Sequence, residues 1–184
     1  MGIPLDRICE GITLCYCNAQ RLVEAARYYM KGKYETGGAI DPRLLQEVTY
    51  GSCSGLAVLA IEEIGKGFFL FEKYQKRDEV TDSEWKQHSR AQSAHLKKIE
   101  KVQELLGSET PEMTEQMNDI KKRDIYVDWI DGNWRSPFDL DTKNQQVTNI
   151  ICLAEKGLTK FADLLVRNGI ATDFSLLKHK LTSG

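Results

Sequence analysis

The sequence predicts an all-α protein, an antiparallel bundle of four long helices with one small β-hairpin before the last helix. Apolar residues recur at steps of three and four over long segments, which is the period of an amphipathic helix. The connections between these segments are short, as in an antiparallel bundle. With 184 residues, the chain suits a single domain with a sizeable core, so we expect residues 1–184 to form one helical unit.

The first two helices are predicted from the spacing of their apolar residues. The second helix should cover about residues 42–74, beginning with an Asp-Pro pair that supplies a cap and a first-turn proline. It is apolar nearly all round, which predicts a central position. The first helix should cover about residues 4–31, and its apolar stripe consists of Ile8, Ile12, Cys15, Ala19, Leu22, Ala26 and Tyr29.

The second half of the chain is more polar until the last helix. A third helix is predicted over about residues 83–106, with Thr81 and Glu84 in its N-terminal cap. An Asp-Gly pair between two aromatic-rich runs predicts a hairpin over about residues 124–137. The last long helix should cover about residues 141–168 and be followed by a short tail, residues 170–184.

Composition limits the classes of function. Net charge is -2, so any contact with nucleic acid must come from a local basic face. The number of cysteines is five, an odd count that favours free, buried thiols in a reducing compartment. No signal segment and no membrane-spanning stretch is recognisable. We therefore expect a cytoplasmic protein without a membrane partner.

Three passages together resemble one known family. They are AVLAIEEIGK at residues 57–66, HLKKI at residues 95–99, and RDIYVD at residues 123–128 with WRSP at residues 134–137. Their order and spacing, over about residues 18–161, resemble the AbiV-type abortive-infection proteins of the HEPN superfamily. The resemblance implies a HEPN-like helical bundle, a homodimer and a role in phage defence.

Charged residues in the middle of the second helix are the first candidates for a site. An unpaired charge buried there would cost several kcal/mol. Glu62 and Lys66 are four apart, which predicts a pair along the helix surface. Glu63 is predicted to point toward another helix and to meet a basic residue of the third helix. Gly65 and Gly67 allow another helix or a ligand to approach closely. A register-fixing ion pair and a site carboxylate both stay open.

The third helix is the second candidate, because it is locally basic. Between residues 85 and 101, the lysines and arginines give five positive charges and Glu100 gives one negative charge. Such a face could hold phosphate groups, and a solvated helix face is the alternative. The basic and histidine residues concerned are Lys86, His88, Arg90, His95, Lys97, Lys98 and Lys101.

The resemblance also singles out one pair on this helix. HEPN ribonucleases use an Arg followed, after four to six residues, by a His, and Arg90 and His95 fit that pattern. The His would act as general acid or base and the Arg would stabilise the charge on the phosphate, without a metal. In one regular helix, however, residues five apart lie about 140° apart. The two could converge only near a helix start or across a dimer interface, whereas the predicted helix begins near residue 83.

Arg123, Tyr126 and Asp128 form a third candidate group, which the resemblance indicates. A local role is the alternative: Tyr126 would pack the hairpin against the bundle, and Arg123 would pair with Asp128 or with Glu63. We predict no metal and no cofactor, because the sequence has no Glu-x-x-His pair, its three histidines are scattered, and it has no phosphate-binding glycine motif.

Two functions follow from the resemblance. The first is a phage-defence effector acting on RNA or translation as a metal-independent endoribonuclease. Arg90 and His95 would be catalytic, supported by Glu62, Glu63, Lys66 and Lys97. The second is a non-catalytic effector that binds a phage or host factor and blocks it by occupancy. The partners expected are a second copy of the chain, RNA or a ribosome-associated target, and a phage-encoded trigger protein.

Overall fold

The structure, a computed structural model, describes residues 2–31, 42–89, 94–107, 128–130, 133–135, 144–170 and 172. The fold class is all-α, as predicted. Its elements in chain order are α1 (Leu5–Lys31), α2 (Pro42–Lys76), α3 (Asp82–Ser89), α4 (Ala94–Leu106), β1 (Asp128–Ile130), β2 (Asn133–Arg135) and α5 (Asn144–Arg167).

Helix α2 is the centre of the molecule, as its apolar composition predicts. It packs against α1, α4 and α5. Its apolar stripe is buried at Ala57, Ile61 and Ile64, each with 0% exposure. A helix with neighbours on three sides has little surface left for solvent, so a charge in its middle has to be matched by a side chain.

The core lies along the contacts of α2 with its neighbours. Phe161 of α5 is fully buried, and its ring lies near those of Tyr16 and Phe68. Gly67 makes this approach possible, because a Cβ there would lie 2.7 Å from the Phe161 ring. The fully buried aliphatic residues of the core include Ile8, Ile12, Ile61, Ile64, Val58, Val147 and Leu165.

The predicted third helix is described in two parts, α3 and α4. Helical structure is described to Ser89 and again from Ala94, and residues 90–93 lie outside the described residues. Helix α3 begins at a reciprocal cap in which Thr81 Oγ1 accepts the Glu84 amide and Glu84 accepts the Thr81 amide. Short helices of low apolar content gain little from burial, and α3 has no buried residue.

Contacts with α2 hold α3 in its position. The Lys73 ammonium lies 2.5 Å from a Glu84 carboxylate oxygen, and this contact holds the pKa of Glu84 at about 2. The His88 ring stacks on Phe69 with 3.9 Å between ring centroids. Trp85 is partly buried against the core.

The two short strands lie within the span predicted as a hairpin. They pair antiparallel, with residue 128 opposite 135 and residue 129 opposite 134. Gly169, two residues after the end of α5, has a φ of +67°, as expected of a C-terminal cap. The predicted tail lies outside the described residues, except for residues 170 and 172.

Burial of the cysteines is less complete than the sequence predicts. Cys15 and Cys53 are buried, Cys9 and Cys17 are half-buried, and Cys152 is exposed. All five are free thiols. Burial raises the pKa of the Cys15 thiol to about 12. Within the described ranges, the helices are too short or too polar to cross a membrane.

Candidate functional site

A buried carboxylate on α2 forms the centre of the candidate site. Glu62 is 4% exposed, and a charge so far from water needs hydrogen-bonding partners. Helix α4 supplies two of them. His95 Nδ1 lies 2.9 Å from Glu62 Oε1, and Lys98 Nζ lies 2.9 Å from Glu62 Oε2. Each carboxylate oxygen therefore has its own nitrogen partner, and we call these three residues the Glu62 cluster.

The spacing of the two partners explains why both reach one carboxylate. His95 and Lys98 are three residues apart, so they lie on the same face of α4. Both residues lie in α4, which is described from Ala94 to Leu106. The Lys98 side chain is 5% exposed and the His95 side chain is 37% exposed. The cluster thus has a buried ion pair and a histidine that remains accessible.

Gly65 brings the two helices close enough for these contacts. A Cβ at this position would lie 2.0 Å from the backbone oxygen of Lys98, which no other residue type could accommodate. The glycine is one turn from Glu62, so the closest approach of α2 and α4 coincides with the cluster. The close helix contact predicted for Gly65 is therefore present.

A second ion pair links the same two helices further along. Glu72 of α2 and Lys101 of α4 are 2.7 Å apart, and their side chains are 23% and 22% exposed. Lys101 also meets Glu104 of its own helix. Helices α2 and α4 are therefore joined by two carboxylate–ammonium contacts, of which the Glu62 contact is the more buried and is shared with a histidine.

The structure exchanges the roles predicted for Glu62 and Glu63. The predicted pair of Glu62 with Lys66 is not the one formed, because the Lys66 ammonium contacts Glu63 of its own helix. The basic residue that was expected to meet Glu63 meets Glu62 instead, and it is Lys98 of α4. Successive residues on a helix point about 100° apart, so Glu62 faces α4 while Glu63 faces α1.

Glu63 and Lys66 line a separate cleft. It has a volume of about 850 Å³ and lies between α1 and α2. Asn18, Arg21 and Thr172 are among its other lining residues. These two predicted site residues are therefore not brought together with His95.

The predicted basic face is largely neutralised. Lys98 is buried against Glu62, Lys86 meets Asp82, and Lys101 meets two carboxylates. For Lys97, no ion pair is found within the described part of the chain. The prediction that all these lysines form one solvent-facing positive surface is therefore wrong for Lys98 and weakened for Lys86 and Lys101.

His88, one of the histidines of the predicted basic face, is partly buried. Its Nδ1 is buried, and no described residue forms a hydrogen bond with it. Desolvation lowers the pKa of His88, and the nearby ammonium groups of Lys97 and Lys101 lower it further. The neutral ring therefore stacks on Phe69 and helps to hold α3 in place.

Several predicted site residues lie outside the part of the chain that the structure describes. These are Arg90, Arg123 and Tyr126, and for Asp128 only the backbone pairing in β1 is described. The predicted convergence of Arg90 and His95 therefore stays a prediction.

The chemistry that the Glu62 cluster allows follows from its hydrogen bonds. A carboxylate on Nδ1 orients an imidazole and favours the tautomer whose other nitrogen accepts a proton. Such a histidine can serve as a general base. In the described parts of the chain, no group of three or more His, Cys, Asp or Glu side chains is arranged to hold a metal ion.

Sequence reasoning missed the role of Lys98. The signal was present, because the H-x-x-K spacing puts His95 and Lys98 on the same helix face. It was not decisive, since the spacing alone does not show which face of α4 turns toward α2.

Helix α2 is surrounded by other helices and has charged residues in its middle, which is consistent with a HEPN-like helical protein. The family model described as AbiV, of the HEPN type, matches residues 43–159, a span that includes α3, α4 and nearly all of α2. That is well over half of the 184 residues. The chain therefore belongs to the AbiV family of HEPN proteins, which suggests a role in abortive infection. No curated protein and no solved structure gave a significant match.

Proposed function

We propose that this protein is an abortive-infection effector that cuts RNA without a metal ion, with His95 as its general base. The observation that carries the proposal is the 2.9 Å contact between His95 Nδ1 and a buried carboxylate. An oriented, partly accessible histidine is suited to move a proton on a bound substrate. Infection by a phage would trigger the activity, and damage to RNA would stop growth of the infected cell.

The reaction proposed is an attack by the RNA on its own backbone. His95 removes the proton of a ribose 2′-hydroxyl, and the 2′-oxygen forms a bond to the adjacent phosphorus. The bond to the 5′-oxygen breaks, and that oxygen takes up a proton from solvent. The products are a 2′,3′-cyclic phosphate and a 5′-hydroxyl. Arg90 and Lys97 are the cations proposed to stabilise the charge on the phosphate.

A second function is supported by a different observation. Three lysines expected to bind phosphate are paired with carboxylates instead, which reduces the positive surface available to RNA. A non-catalytic effector would not need that surface. It would bind a phage or host protein and block it by occupancy, and the Glu62 cluster would then hold α2 and α4 together.

The test is RNA cleavage by the purified protein in EDTA. Wild type and a His95→Ala variant with an unchanged circular dichroism spectrum are incubated with cellular RNA, each with and without lysate from phage-infected cells. We expect wild type to cut RNA and the variant to be slower by about 10²-fold or more, the usual contribution of a general base. Equal, negligible cleavage by both proteins under all conditions would favour the occupancy function.

The partners expected from the family remain proposals. We propose a homodimer, a phage-encoded trigger protein and an RNA or ribosome-associated target in the cytoplasm. Sedimentation of the purified chain measures the first directly. A sedimentation coefficient of a monomer over the whole concentration range would rule out a stable dimer.

A further inference from the structure

We infer that Glu62 is a positioning residue that keeps the proton of neutral His95 on Nδ1, so that Nε2 is the nitrogen that accepts a proton. The catalytic consequence rests on the function proposed above. The tautomer itself does not, because it is a property of the Glu62 cluster in the absence of substrate. Lys98 is part of the same inference, because it keeps the carboxylate in the ionised form that the arrangement requires.

The first step of the argument concerns the charge of Glu62. Lys98 Nζ is 2.9 Å from Oε2, and an ammonium group can only donate hydrogen bonds. Both side chains are 5% exposed, so water screens their attraction poorly. Glu62 is therefore a carboxylate, and a carboxylate can only accept hydrogen bonds.

The second step concerns the imidazole. Since Oε1 can only accept, the atom 2.9 Å away, Nδ1 of His95, must be the donor. A neutral imidazole carries one N–H, so its other nitrogen, Nε2, has the lone pair. Hydrogen bonding to one ring nitrogen thus decides the role of the other.

A purely structural role would not require the histidine. Glu72 and Lys101 join the same helices at a distance of 2.7 Å, with the same pair of residue types. This second pair provides a matched control, because Glu72→Gln removes a carboxylate between α2 and α4 without removing the contact to His95.

The experiment is ¹⁵N NMR of the histidine side chains in the full chain, at mildly alkaline pH. The chemical shifts of Nδ1 and Nε2 report the tautomer directly, and His95→Gln identifies the His95 signals. In wild type and in Glu72→Gln, we expect the proton on Nδ1. In Glu62→Gln, the amide can donate as well as accept, so we expect a mixture with the Nε2–H tautomer.

Three results would overturn the inference. These are an Nε2–H tautomer in wild type, a persistent imidazolium in wild type, and an unchanged Nδ1–H tautomer in Glu62→Gln. The wild-type spectrum tests the inference by itself, so it remains testable even if Glu62→Gln does not fold.

RNA cleavage gives the independent second measurement. Glu62→Gln should lower kcat by about 10²-fold and change KM less than about threefold, because RNA does not bind through a buried carboxylate. Glu72→Gln should keep both constants. If wild type shows the Nδ1–H tautomer but does not cut RNA, the proposed function fails and the tautomer assignment stands. If RNA is cut and Glu62→Gln cuts it at the wild-type rate, the positioning role fails.

Discussion

The adjacent residues Glu62 and Glu63 have very different surroundings. Glu62 is buried against a histidine and a lysine of another helix, whereas Glu63 pairs within its own helix and lines a cleft. The sequence predicts that a carboxylate of α2 meets a basic residue of the third predicted helix, and the structure has such a contact. The prediction that this carboxylate is Glu63 is wrong, because α2 is apolar on nearly all sides and the phase of its buried face is ambiguous by one residue.

At this scale, we expect Lys98→Met to destabilise the protein far more than Lys101→Met. Removing Lys98 takes away the ammonium partner of a buried carboxylate, which costs about 3–5 kcal/mol. Lys101 is part of a more exposed pair, for which about 1 kcal/mol or less is typical. Urea denaturation of both variants gives the two free energies of unfolding. Equal losses would mean that the burial of the Glu62–Lys98 pair has no energetic consequence.

The arrangement of the helices is the least predictable part of the site. Helices α1, α2 and α5 begin and end near the predicted residues, because apolar periodicity extends over their whole length. The predicted third helix is described in two parts, α3 and α4, and residues 90–93 between them lie outside the described residues. Its apolar periodicity is weak, so the sequence does not determine which face of α4 turns toward α2.

The contact between α2 and α4 depends on one glycine, which gives a prediction for the two elements together. Gly65→Ala adds a Cβ that would lie 2.0 Å from the Lys98 backbone oxygen, so α4 has to move away. We expect a loss of about 1–3 kcal/mol, measured by urea denaturation, and a change in the His95 NMR signals.

Gly157→Ala is the matched control, because it adds the same methyl group elsewhere in the bundle. Its Cβ would meet only the side-chain atoms of Val102 and Ile64, at 3.3 and 3.4 Å. We expect a smaller loss of stability than for Gly65→Ala and unchanged His95 signals. A Gly65→Ala variant as stable as wild type would contradict the close contact of the helices.

The attachment of α3 should weaken on acidification through His88. Its pKa is lowered from the ordinary value of 6.5, mainly by desolvation and also by Lys97, Lys101 and Lys73, while Glu84 acts in the opposite direction. Below about pH 6.5, the unfolded chain therefore binds a proton that the folded chain resists binding. Stability is lost as the pH falls through this range and is fully present above it.

A His88→Phe variant tests this pH dependence. The ring can still stack on Phe69, but it can no longer bind a proton. We expect the free energy of unfolding of the variant to fall less steeply than that of wild type between pH 7 and pH 5, as measured by urea denaturation. Parallel pH profiles of the two proteins would exclude His88 as the cause.

For the whole molecule, the sequence predicts the fold class and the protein family better than it predicts the candidate site. Amphipathic spacing is enough for an all-α fold, and three motifs were enough to indicate the AbiV family, whose model matches residues 43–159. Helix α1 lies outside that match but buries Ile8, Ile12 and Ala19 in the common core. The Glu62 cluster, in contrast, needs the relative position of two helices, which no local pattern contains.

The most direct measurement for the proposed function is cleavage of an RNA oligonucleotide in EDTA. The oligonucleotide has the sequence of a site that the wild-type protein cuts in cellular RNA. It is compared with an analogue that has a single 2′-deoxyribose at the cut site. We expect the RNA to yield a 2′,3′-cyclic phosphate end, the analogue to resist cleavage at that site, and His95→Ala to cut the RNA more slowly by about 10²-fold or more. Equal cleavage of RNA and analogue by wild type, or undiminished cleavage by His95→Ala, would contradict a histidine acting on the 2′-hydroxyl.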